Sequence, residues 1–253
     1  MADDNLGEGT LVSHLLELRN RLVKAVLAIF IVFIPAAVFR NTIFDILAKP
    51  LIDQLPEGSS LISTGITSPF LTPFKLAFFF SIFAAMPVVL YQIWAFVAPG
   101  LYRKEKRFAV PLLASAIVLF YVGTLFAYKF VFPMAFHFFT NSGPSAVKQM
   151  PDIGNYLDFA LMTFLAFGVA FEIPVVVVLL TLTGLVKVAQ LSAARGYVVI
   201  GIFVAAAVLT PPDPLSQVLM AIPMWLLYEG GVIMARIMTR SSAAPQADPD
   251  SSV

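Results

Sequence analysis

The chain has 253 residues, 59% of them hydrophobic and only 12% charged, which leaves too little polar surface to cover a soluble globule of that length. Its 16 basic and 15 acidic residues nearly cancel, so nothing in the balance points to nucleic acid. With no cysteine, two distant histidines (His14 and His137), no glycine-rich phosphate loop, no H-E-x-x-H helix and no G-x-S-x-G elbow, the sequence implies no metal and no cofactor, and it argues against ATPase, metalloprotease and serine-hydrolase chemistry.

At the N-terminus Asp3, Asp4 and Glu8 precede the first basic residue and no small-x-small cleavage site follows the apolar run, so an uncleaved span is expected. In HLLELRNRL (His14 to Leu22), Leu11, Leu15, Leu18 and Leu22 recur at helical spacing, with Glu17, Arg21 and Lys24 opposite. This predicts an amphipathic helix running into a first span at about 22 to 39. Glu17 there is either half of an i,i+4 pair with Arg21 or a fixed carboxylate available to a ligand. The next segment, TIFDILAKPLIDQL, groups Ile43, Phe44, Ile46, Leu47, Leu51 and Leu55 on short helical pieces broken at Pro50, and reads as a cap lying on the membrane.

A second span at about 73 to 98 ends at Pro99 and Gly100. A lone Glu105 then stands among Arg103, Lys104, Lys106 and Arg107. It is either the balancing acid of a basic loop or, with Glu17, one of two carboxylates of the kind that bidentate arginine recognition requires. A third span (about 108 to 135) leads into the turn-rich NSGPSAVKQMPDIGN. The fourth (about 156 to 183) holds Glu172, the sole charge between Asp158 and Lys187. A charge at mid-membrane costs on the order of 3 kcal/mol, so Glu172 is either a neutralised structural carboxyl or a group facing a cavity, a partner or a substrate. Pro174 lies two residues on, placing a kink beside it. The last two spans, about 196 to 210 and 215 to 236, are separated by TPPDP; the first of them is short of a full crossing. Residues 1–240 thus form one polytopic membrane domain, and 241–253 a short polar, disordered tail. Prolines within the spans (Pro35, Pro87, Pro111, Pro174, Pro223) predict curved helices.

Orientation follows from the basic residues. With the N-terminus inside, eleven Lys and Arg lie on the cytoplasmic side and four outside, leaving Lys129 near the outer end of the third span. Both termini are expected in the cytoplasm.

Taken in this order over about residues 10 to 240, HLLELRNRL, SPFLTPFKL, VLYQIWAFVAPGLYRKEKR, FAYKFVFPMAF, FGVAFEIPV and LTPPDPLSQ with IPMWLLYE resemble TatC, the polytopic subunit of the twin-arginine protein translocase. The resemblance implies an all-α integral membrane protein of six transmembrane helices in a cupped, glove-like bundle. It also implies a non-enzymatic receptor in the bacterial inner membrane that binds twin-arginine signal peptides of folded precursors, exports them on the proton-motive force, and works with single-span TatA and TatB subunits in a homo-oligomeric complex. On this resemblance Glu17, Arg19, Phe96 and Glu105 fall on signal-recognition positions, Pro50 on the outer cap, Glu172 on the intramembrane acid, and Thr210 and Gln217 on polar positions where partners dock. Lys129 departs from the pattern. The alternative is a proton-coupled small-molecule secondary transporter with Glu172 as its proton site, against which stand the lack of a convincing inverted repeat and the single central ionisable group.

Overall fold

The structure, a computed structural model, describes residues 4–52, 62–97, 109–141, 152–209 and 214–242. Glu105 and Thr210 lie outside these residues, as do most of NSGPSAVKQMPDIGN and the polar tail from 243 on. In lipid every backbone donor and acceptor has to be satisfied within the protein, which an open chain achieves only as helix. The described residues accordingly form α1 (Asp4–Val38), α2 (Arg40–Ile52), α3 (Ser68–Val97), α4 (Ala109–Phe126), a π-helical turn (Ala127–Val131), α5 (Phe132–Asn141), α6 (Ile153–Ala170), α7 (Ile173–Leu182), α8 (Val188–Ala193), α9 (Arg195–Leu209) and α10 (Pro214–Ser242). Their one extended contact is a bridge between Ile62 and Asp152.

Among the described residues five stretches are long and apolar enough to cross a bilayer: Val12–Val38, Ser68–Val97, Ala109–Ala135, Ile153–Leu182 and Met220–Thr239. The sixth expected span is α9, whose 15 residues make a rod only about 22 Å long. The chain is therefore a multi-pass membrane protein. Its helices fall into two compact units, one comprising described residues 4–97 and 109–169, the other 170–242.

In the first unit α1 packs along α3. Small buried residues, Ala25 and Ala36 on α1 and Ala77, Ser81 and Ala85 on α3, let helix backbones approach closely, which is how helices associate where lipid removes the hydrophobic drive. On α4 and the π turn Leu112, Ala116, Phe120, Gly123 and Ala127 recur every three or four residues and form one buried face. Phe120 sits against Gly168 of α6, where a Cβ would come within 2.6 Å of a ring that is itself fully enclosed. At the π turn the Phe132 N–H reaches back five residues to the Ala127 carbonyl. Pro133 follows, without an N–H and with a ring that crowds the carbonyl four residues back, and the widened turn absorbs both effects. Lys129 rides on this turn and is exposed.

One local expectation is corrected. α2 is not broken at Pro50 but runs through it to Ile52. The proline stands in the last turn, where it removes one hydrogen bond near a helix end that is incompletely bonded anyway. As expected, the amphipathic segment runs into the first span as one uninterrupted helix, α1, with Leu15, Leu18 and Leu22 facing outward and Glu17 and Arg21 half-buried.

In the second unit α7 and α10 pack closely, and α9 and α8 pack on α10. Gly231 of α10 makes the first contact possible, because a Cβ there would lie 2.8 Å from the Pro174 Cα. α7 ends at Gly184, whose positive φ of 71° is the left-handed geometry of a glycine cap. Tyr228 of α10 donates to the Leu191 carbonyl of α8 at 2.7 Å.

Candidate functional site

The last turn of α3 and the N-terminal part of α1 build the first candidate region. His14 stacks on Phe96 with ring centroids 4.3 Å apart, fixing α1 against the end of α3. Glu17, three residues on, shares a helix face with His14, so its carboxylate stands one turn from the exposed imidazole that stacks on Phe96. Arg21 donates from Nε to Glu17 Oε1 at 2.9 Å, and its Nη2 goes to the same oxygen. Both bonds use Oε1, and Oε2 has no partner among the described residues. Arg19 points away, exposed, with its guanidinium 3.3 Å from the Asn20 side-chain oxygen. Of the four expected recognition residues, Glu17 and Phe96 are thus brought to one place and Arg19 is on the adjoining exposed surface. Glu105 is outside the described residues.

The second candidate region is the break in the fourth span. Phe171 and Glu172 form a turn between α6 and α7. Glu172 is the N-cap of α7, its carbonyl accepting the Val176 N–H at 2.9 Å, and Pro174 occupies the first turn, where a missing N–H removes no intrahelical bond. Its side chain does not cap the helix. Oε1 is buried with no hydrogen-bond partner among the described residues, an arrangement expensive for a carboxylate in an apolar setting. The kink and the acid belong to one feature, as the Glu172 and Pro174 spacing implies.

Of the residues expected near partners, Gln217 donates from Nε2 to the Phe203 carbonyl at 2.9 Å, tying α10 to α9. Pro50 lies within α2.

Three polar contacts escaped the sequence reading. Arg195 grips Glu229 with two parallel bonds of 2.6 and 2.8 Å, joining the start of α9 to α10. Lys75 of α3 pairs with Asp158 of α6 at 2.7 Å. Asp152 accepts from the Thr64 N–H (2.8 Å) and hydroxyl (2.7 Å) with one oxygen, and from the Gly154 and Asn155 N–H groups (2.9 and 3.2 Å) with the other. The Thr64 donors above all, helped by the helix N-terminus, hold its carboxyl down at about 2. The signal for the first two was in the sequence: an isolated acid within an apolar span, Glu229 at its middle and Asp158 near its start, has to find a cation.

Comparison with known proteins carries these observations further. Residues 13–223 match the model of the family described as Sec-independent protein translocase protein (TatC). The chain is 52% identical over 240 residues to the Sec-independent protein translocase protein TatC of Azotobacter chroococcum, covering 94% of each chain. Over 226 residues it is 48% identical to the protein of the same name from Escherichia coli K12, covering 89% of this chain and 88% of that one. Among solved structures, the crystal structure of the twin-arginine translocase receptor TatC superposes with a TM-score of 0.80 at 39% identity, over 90% of this chain and 100% of the other. None of these relatives supports the solute-transporter alternative. The chain belongs to the TatC family of Sec-independent protein translocase proteins.

Proposed function

We propose that this chain is the receptor and core subunit of a twin-arginine protein translocase, reading signal peptides at the joint of α1 and α3. The observation that carries the reading is the half-buried Glu17, whose Oε2 has no partner among the described residues, one helical turn after the His14 that stacks on Phe96. Glu105, from the segment that follows α3 in sequence, supplies the second carboxylate, and Arg19 the polar edge. Both termini and this site face the cytoplasm of a bacterium with the inner membrane as host, a reading supported by the distribution of basic residues. The protein acts by binding, not catalysis. Single-span TatA-type and TatB-type partners dock near Thr210 and Gln217, several copies assemble into the receptor complex, and the proton-motive force drives export.

Magnitudes divide the labour within the site. An exposed carboxylate–arginine pair is worth no more than about 1 kcal/mol, so two supply about 2 kcal/mol of the roughly 8 kcal/mol that micromolar affinity requires. The apolar part of the signal, lying along Phe96 and neighbouring helix surface, therefore supplies most of the affinity, and the carboxylates set specificity. The test is photocrosslinking of twin-arginine and twin-lysine signal peptides in native membranes. Glu17→Ala and Glu105→Ala should each narrow the ratio between the two signals more than they lower total crosslinking, and Glu105→Arg should abolish productive docking by repulsion. Equal loss for both signals, or none, removes these carboxylates from the recognition site.

A further inference from the structure

In the first unit α2, α3, α4 with its π turn, and α6 enclose a groove of about 360 Å³, walled by Ile46, Leu76, Phe80, Thr124, Leu161 and Phe164. Most of its walls belong to segments of membrane-spanning length and composition, so the surrounding medium is hydrocarbon. The hydroxyls bordering the groove from α4 are already used: Tyr121 donates to the Phe83 carbonyl at 2.8 Å and Thr124 to that of Phe120 at 3.0 Å. Tyr128 also borders the groove, carried there by the π turn, an irregularity that concentrates at functional sites, and its ring meets Phe164 edge-on at 5.9 Å.

Size and charge narrow the occupant. The lining is almost entirely apolar, which suits a flexible hydrocarbon chain lying along it. A transmembrane helix about 10 Å across does not fit such a space. Beside it stands Arg40, six residues ahead of Ile46 on α2, its guanidinium 4.4 Å over the ring of Phe74, which is two residues ahead of Leu76. Lys75 is neutralised by Asp158, whereas Arg40 pairs with no carboxylate among the described residues. A guanidinium is the side chain best matched to a phosphate. We propose that the groove holds one acyl chain of a phospholipid from the leaflet on the α2 side, with the lipid phosphate at Arg40. The chain exchanges one hydrocarbon surrounding for another, so retention rests on packing and the ionic contact instead of on hydrophobic transfer.

The full chain is reconstituted in vesicles of phosphatidylethanolamine and phosphatidylglycerol with a trace of phosphatidylglycerol bearing a mid-chain diazirine. After photolysis, adducts should concentrate on residues 76–83 and 121–128 over lipid-exposed Val118 and Ile93. Thr124→Trp, which fills the groove, should reduce groove adducts by about tenfold, and Arg40→Gln by severalfold, with those at Val118 unchanged. Leu161→Ala, which enlarges the groove, should raise them, and it decides the matter if the tryptophan variant fails to fold. Groove adducts no more abundant than those at Val118, or insensitive to these substitutions, overturn the proposal. So does labelling of the groove by a photoreactive signal peptide with no lipid adducts in its absence, which gives the site to the peptide.

Discussion

Glu17 is already partly neutralised by Arg21, so the recognition proposed there would be an exchange between cations and not the filling of an empty anionic hole. Glu172 presents the opposite problem, a buried carboxylate oxygen with no partner among the described residues, a state that costs about 1 to 3 kcal/mol or more for a charged group. Removing such a group relieves the fold. Glu172→Leu should therefore raise the melting temperature in detergent while lowering export of a twin-arginine reporter, and Glu172→Gln should retain partial export. Wild-type export by the leucine variant would sink the functional reading of this residue. Both acids were legible in the sequence because each stands alone, one in an apolar run and one opposite a leucine stripe. The stacking of His14 on Phe96 was not, since residues 82 positions apart meet only through the packing of α1 on α3.

Elements join the residues through a few tight contacts. The Asp152 clasp, which ties the segment before α3 to the start of α6, has a carboxyl held at about 2, below its ordinary value of about 4. A lowered carboxylate stabilises fully above the unfolded value and fails only as pH falls through the folded one. Hydrogen-exchange protection of the Thr64 and Gly154 amides should thus stay level from pH 7 to about 4 and vanish toward about 2, whereas Asp152→Asn should lower it throughout. A pH-dependent loss near neutrality would assign the clasp to another group. Gly231 sets a second contact: Gly231→Ala forces α10 off the Pro174 backbone and should destabilise the protein by about 1 to 3 kcal/mol, more than Gly230→Ala, whose Cβ meets open space. Denaturation of the two variants side by side checks this. Apolar run length alone pointed to several helices of bilayer-crossing length, and the described residues contain such helices. The π turn and the unbroken α2 were not readable, because a proline announces that a hydrogen bond is missing without saying whether the helix breaks, widens or carries on.

Across the whole molecule, hydropathy and the basic residues predict a layout, and the absence of cysteine makes it directly measurable. Single cysteines at Ser59, Ser145 and Asp213 should react with an impermeant maleimide from outside intact spheroplasts, and those at Asn5, Lys104, Ala189 and Ser242 only after lysis. External reaction at Ser242 would dismantle the six-crossing arrangement. The feature with the widest reach is the short α9, whose outward residues Tyr197, Ile200, Val204 and Val208 bring a rod of about 22 Å to a hydrocarbon layer of about 30 Å. Lipid beside it has to dip to cover it, at a fraction of a kcal/mol per Å. Two bodies that dimple the same elastic sheet attract as floating objects do on water, because one shared depression costs less than two. The flank along α9 is thus a place where another short helix gathers without any specific contact, and this pull weakens as the membrane itself is made thinner.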